Sequence, residues 1–95
     1  MRQPSVHIMA SQRNGTLYTG VTSDLSQRVF QHRQGQMPGF TTRYGCKMLV
    51  CYQAFPDMDA AITREKQIKA GSRRKKLMLI DRFNPEWRDL HADLA

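Results

Sequence analysis

The sequence predicts an α/β domain of the α+β type: a three-stranded antiparallel sheet flanked by helices, in the order β-β-α-β-α-α-α. Three observations predict it. Two short runs of strand formers flank an Arg13-Asn14-Gly15 turn, the pattern of a hairpin. A third run, over 48–55, stops at Pro56, which cannot donate to a sheet ladder. Around these runs, apolar residues recur at three- and four-residue spacing behind Asp, Ser or Asn, as capped amphipathic helices require. With 95 residues, 40% hydrophobic content and eight aromatics, the chain reads as one small domain over 1–95, near the lower limit for burying its own core without staples.

The elements follow in order. Residues 5–10 and 17–21 are the first two strands, antiparallel neighbours across the turn. Thr22, Ser23 and Asp24 offer N-cap oxygens to a helix over 24–34, with Leu25, Val29 and Phe30 turned toward a core. On that helix Arg28 and His32, four apart, share a face offset from the apolar stripe. Residues 35–45, with Pro38 among glycines, form a loop before the third strand. Asp57 starts a helix that runs to Ala70 before Gly71, placing Met58, Ala61, Ile62, Glu65 and Ile68 on one broad face. Ser72 caps the next, in which Leu77 and Ile80 are apolar and residues 73–76 are all basic. Asn84-Pro85 breaks it, and Pro85 suits the first position of a short last helix holding Trp87, Leu90 and Leu94.

Charge narrows the partners. Fifteen Lys and Arg against eight Asp and Glu leave a formal +7. Such an excess favours a polyanion, because each neutralised phosphate releases condensed counterions. Nucleic acid is the first expectation, and a merely soluble basic surface is the bland one. Cys46 and Cys51, five apart in the third-strand region, point to opposite faces and cannot pair there. With no secretory or membrane-length apolar run, the reading is a cytoplasmic protein with no disulfide and no membrane partner. Two cysteines alone do not make a structural zinc site.

Cleaving a phosphodiester needs a nucleophilic water, a base for its proton, charge compensation on the phosphoryl oxygens and help for the leaving oxygen. Candidates for all four stand in order along the chain. Tyr18 is a phenol at a strand end, Arg28 a fixed cation with a planar donor fork, His32 a titratable imidazole, and Glu65 a carboxylate able to hold a divalent cation. Tyr18-Thr19-Gly20, Arg28 ten residues later, the Arg-x-x-x-His helix, residues 64–69 (Arg-Glu-Lys-Gln-Ile-Lys) and residues 84–90 (Asn-Pro-Glu-Trp-Arg-Asp-Leu) together resemble the GIY-YIG nuclease superfamily, most nearly its small single-domain bacterial members. The resemblance spans roughly 6–94. Each motif alone is weak, and their shared order and spacing are specific.

The resemblance implies DNA hydrolysis with one divalent cation, Mg2+ or Mn2+, held mainly by Glu65. It assigns Arg28 to the scissile phosphate, Tyr18 to the attacking water, His32 to proton passage or phosphate binding, and Asn84 to support of the site. One departure stands out. The family's first motif ends in a tyrosine eleven residues before the second tyrosine, and His7 occupies that position here, with the motif's glycine also missing. A neutral imidazole, with a reference pKa of ~6.5 against ~10 for a phenol, takes a proton more readily. His7 is therefore either a functional replacement or a mark of lost activity.

Plainer roles compete with each assignment. Tyr18 suits a sheet edge, Arg28 and His32 a solvated helix face, and Glu65 an ion pair with Lys69 at i+4. His7 suits a structural histidine, Asn84 a cap, and Trp87 the core with its indole nitrogen bonded. Lys66, Lys69, Arg73, Arg74, Lys75 and Lys76 run along and directly beyond the end of the helix that carries Glu65 and suit backbone phosphates, or a solvated face equally well. Phe40, Arg43 and Tyr44 combine aromatic and cationic character, which suits stacking on exposed bases. Small size and this loop point to single-stranded DNA selected by structure rather than sequence. A nucleic-acid-binding module of the same fold with impaired turnover is the alternative.

Overall fold

The computed structural model describes residues 3–35 and 43–94. Strands β1 (Ser5–Ala10), β2 (Leu17–Thr22) and β3 (Met48–Ala54) form one antiparallel sheet in the order β2-β1-β3. Helices α1 (Leu25–Arg33), α2 (Met58–Ala70) and α3 (Arg73–Phe83) precede a closing 3-10 helix at Leu90–Leu94. The α+β architecture is the expected one.

Every residue of the central strand β1 is buried, so both faces of the sheet are covered. Period-two alternation sorts its side chains. Val6, Ile8 and Ala10 join Val50, Cys51, Ala61, Ile68, Ile80 and Trp87 beneath α2 and α3. Met9 joins Leu25, Val29, Cys46, Leu49 and Leu90 beneath α1 and the 3-10 helix. His7 has the parity of Met9 and is directed toward α1. Ile8 pairs with Cys51 while Met9 pairs with Leu49, so Val50 is the extra residue of a β-bulge.

Local chemistry sets the element ends. Gly15 N donates to Gln12 O at 2.9 Å and Ser11 N to Thr16 O at 3.0 Å, closing the hairpin over a four-residue turn. Asn14 takes the left-handed conformation, φ 59, which its short polar side chain tolerates. Gly15 is required for a different reason: a Cβ there would run into Ser11 Oγ and stand 2.8 Å from Gln12 Cγ. The three expected caps all form. Asp24 accepts from Gln27 N at 3.2 Å, Asp57 from Ala60 N at 2.8 Å and Ser72 from Lys75 N at 3.2 Å.

Three local expectations are corrected. In α1 the inward arc is Leu25, Val29 and His32, so His32 continues the apolar stripe instead of standing beside it. Phe30, about 100° around the helix from Val29, is 50% exposed. Next, Pro85 does not open a last helix. Asn84 closes α3, its N donating to Ile80 O at 2.7 Å, and Trp87 adopts φ 54, so the chain turns sharply before the 3-10 helix. Finally, Cys46 precedes β3 rather than lying in it. The two thiols still occupy opposite faces of the sheet, free and buried. Among the described residues, no helix is long and apolar enough to cross a membrane.

Candidate active site

Three rings meet where β1, β2 and α1 converge. His7 comes from the central strand, Tyr18 from β2 and His32 from the inward arc of α1. Their centroids form a triangle: Tyr18 to His32 5.4 Å, His7 to His32 5.7 Å and His7 to Tyr18 6.3 Å, all tilted. Gly20 makes the triangle possible. It pairs with His7 across the sheet, and a Cβ on it would lie 3.0 Å from His7 Cε1, His7 Nε2 and Tyr18 Cε2, tighter than ordinary packing.

Both imidazoles are buried, His7 at 1% and His32 at 2% exposure, and their four ring nitrogens have no hydrogen-bond partner among the described residues. Nitrogens buried in this way carry a desolvation cost, and they leave one donor and one acceptor per neutral ring for whatever enters. Burial first, then His32, Arg28 and Lys69, push the His7 pKa down to about 3. The pKa of His32 is lowered by burial and by Arg28. Both rings are neutral near pH 7. The ordinary imidazole value invoked from the sequence therefore does not apply to His7.

Arg28, half-buried on α1, acts electrostatically on both histidines. The second arm comes from α2. Glu65, with its side chain only 14% exposed, pairs with Lys69 Nζ at 3.6 Å. Lys69 in turn lines an open cavity of about 300 Å³ together with Tyr18, Leu17, Thr19 and Lys76. Lys69 thus links the carboxylate to the ring triangle. Among the described residues no group of three His, Cys, Asp or Glu gathers to cage a metal. A single carboxylate with little exposure, as Glu65 is among the described residues, fits a hard cation that keeps its waters and borrows substrate oxygens, as magnesium does.

The other sequence candidates are dispersed. Asn84 is 4% exposed and acts as a bracket: Nδ2 donates to Val50 O at 3.1 Å and Arg88 O at 2.8 Å, while Oδ1 accepts from Arg88 N at 3.1 Å. These bonds tie the end of α3 to β3, and none of them is to a residue of the ring triangle. Arg73 Nη2 donates to Asn14 O at 2.8 Å and Gly15 O at 2.7 Å, bracing the hairpin turn. Lys66 and Arg74 are exposed. Arg43 stacks over the exposed Tyr44 ring at 5.4 Å, and Phe40 lies outside the described residues.

Sequence reasoning missed two supports. Gly20 belongs to the Tyr-Thr-Gly motif in the sequence, and only the register shows that it clears space for His7. Asp89 stands in the 84–90 motif without a role legible from the sequence: it forms an ion pair with Arg33, and its Oδ1 accepts from Leu49 N at 3.2 Å and His91 N at 3.1 Å. That carboxylate holds the C-terminal end of α1 to β3.

Comparison with known proteins identifies the family. The GIY-YIG catalytic domain profile matches residues 3–78. A UPF0213 protein of Staphylococcus saprophyticus is 38% identical over 68 residues, 72% of this chain and 83% of its own length. One from Haloquadratum walsbyi is 36% identical over 66 residues, covering 70% and 74% of the two chains. The solution NMR structure of the UPF0213 protein BH0048 from Bacillus halodurans superimposes with a TM-score of 0.58 at 31% identity, covering 92% of each chain. The chain belongs to the GIY-YIG nuclease family, alongside UPF0213 members of bacteria and archaea.

Proposed function

We propose that this protein is a divalent-metal-dependent DNA endonuclease that selects its substrate by structure and prefers single strands. One observation carries the reading: two buried, neutral imidazoles whose ring nitrogens have no hydrogen-bond partner among the described residues converge with a phenol near Arg28, at the edge of an open cavity that Tyr18 lines. Arg28 holds the scissile phosphate with its donor fork. Tyr18 orients the attacking water, and His7 accepts its proton as the water oxygen bonds to phosphorus and the leaving P–O bond breaks. Free His7 is a weak base, chiefly because it is buried and then because His32, Arg28 and Lys69 stand near it. A bound phosphate offsets those two cations and returns that part of the basicity, while burial still holds the ring neutral. His32, neutral, donates to a phosphoryl oxygen or relays a proton. A cation on Glu65, Mg2+ or Mn2+, would supply charge compensation at the phosphoryl and leaving oxygens.

Lys66, Lys69 and Arg74 are assigned to backbone phosphates, Arg73 to the hairpin turn that it braces, and Arg43, Tyr44 and Phe40 to exposed bases. Asn84 supports the site through the fold. Buried free thiols at Cys46 and Cys51 suit a reducing compartment, the cytoplasm. A second reading, a binding module with impaired turnover, draws on the depressed pKa of His7. Cleavage of end-labelled single- and double-stranded DNA with magnesium, manganese or chelator separates the two. Metal-dependent cutting that is lost in Glu65→Ala, reduced at least a hundredfold in His7→Ala and faster on single strands supports the nuclease. Salt-sensitive binding without cutting supports the module, and faster cutting of duplex removes the single-strand preference.

A further inference from the structure

Behind the site, α2 and α3 leave a groove between them. Two adjoining cavities, about 210 and 390 Å³, share Arg64, Lys75 and Leu79. The charged residues lining them are all cationic: Arg64, Lys75 and Lys76, then Arg82 farther along. Lys76 also lines the cavity that holds Tyr18 and Lys69, so a single cationic path leads from the candidate active site round the β2 edge into the groove. At its far end α3 exposes two large apolar side chains, Met78 at 61% and Phe83 at 58%. Arg82 lies over the Phe83 ring at 5.8 Å.

Exposed apolar surface on a basic helix is costly to leave idle, and the pairing of guanidinium with phenyl has a specific use. Cations spaced along a groove match a phosphate backbone, and an aromatic ring beside an arginine offers a face on which a base stacks. Carboxylates of an acidic peptide would match the cations, but they leave the ring unused, whereas every nucleotide of a single strand brings both a phosphate and a base. A duplex is stiff and hides its base faces, so it neither follows a path around the domain edge nor reaches Phe83 with a base.

We propose that the α2/α3 groove is a second nucleic-acid subsite, which takes the flank of a single strand whose scissile phosphate lies at Tyr18 and Lys69. Arg64, Lys75 and Lys76 meet its backbone and Phe83, with Arg82, stacks an unpaired base. The inference rests on the nuclease reading, and it divides the basic segment. Arg73 braces the hairpin, while Lys75 and Lys76 belong to the path.

The test uses the full chain in chelator, so that binding is read without cutting. Fluorescence anisotropy compares a short oligonucleotide that fills only the active site with a longer one that also reaches the groove. The longer strand should bind more tightly, and Arg82→Glu with Phe83→Ala should weaken it about tenfold while leaving the short strand unchanged. A 2-aminopurine in the flank should be quenched on binding and recover in Phe83→Ala. Equal losses for both lengths, or no quenching, would overturn the proposal. Polyglutamate competing as well as the longer strand, with the same dependence on Arg82, would reassign the groove to acidic peptides. Far-ultraviolet circular dichroism verifies the fold of each variant. A separate cleavage assay tests the nuclease reading, since loss of cutting leaves the anisotropy comparison intact.

Discussion

His7 places an ionisable ring in the middle of a central strand, and the pH dependence of stability follows from that position. The unfolded chain takes up a proton at this ring below about pH 6.5, whereas the folded chain does so only near pH 3. Stability is therefore complete above pH 6.5 and falls between those values by ~1.4 kcal/mol per pH unit. The lowered pKa of His32 adds in the same direction. Urea unfolding from pH 7 to pH 4 should show this slope, and His7→Phe should flatten it by one proton while abolishing turnover; an unchanged slope would contradict the burial argument. Gly20→Ala tests the same contact from across the sheet. Its Cβ must displace either His7 or Tyr18, so we expect a loss of roughly 1–3 kcal/mol and a larger fall in cleavage rate than Thr19→Ala produces. At this scale the sequence announced the residue types and their order, because spacing within a strand or helix survives in the linear text. It did not announce the burial that weakens His7 as a base, which depends on α1 crossing over β1.

The elements begin where their side chains cap them. Asp24, Asp57 and Ser72 were legible because a side-chain oxygen at the head of a helical repeat, three residues before the amide it accepts from, has one good use. Asn84 was not, since an asparagine before proline caps a following helix as readily as it closes a preceding one. Here its amide serves both Val50 and Arg88, and the sharp turn at Trp87 leaves no room for a helix to start. Asn84→Ala should destabilise the protein by roughly 2 kcal/mol or more, through backbone groups left unpaired in a buried place. The folded fraction should keep its cleavage rate; a lost rate at full stability would give Asn84 a direct part in the chemistry. Phe30 marks the opposite limit. Its spacing fits an apolar stripe, yet the helix is rotated so that a histidine is buried and the phenyl group faces outward.

For the whole molecule the decisive quantity is the distribution of its +7 charge. Cations bound the ring triangle through Arg28 and Lys69 and continue through Lys76 into the α2/α3 groove. If four to six phosphates are held along that route, the logarithm of single-strand affinity should fall against the logarithm of salt with a slope of about −3 to −4. A slope near zero would disconnect the charge from the function. Net charge was readable at once from composition, and antiparallel pairing of the first two strands from the turn. The path from site to groove was not, because its residues come from β2, α2 and α3 and meet only after the sheet is covered.

The two cysteines give this fold an internal clock. Cys46 sits in the layer under α1 and Cys51 in the layer under α2 and α3, and burial raises both thiol pKa values, that of Cys51 to about 11. Each reacts with an alkylating reagent only when its own layer opens. Mass spectrometry of pulse-labelled protein can therefore time the two sides of one sheet separately, without an introduced probe. If Cys46 is labelled faster than Cys51, the α1 side lifts on its own, and with it the wall that carries Arg28 and His32. Equal rates would mean that the sheet releases both layers in one cooperative event.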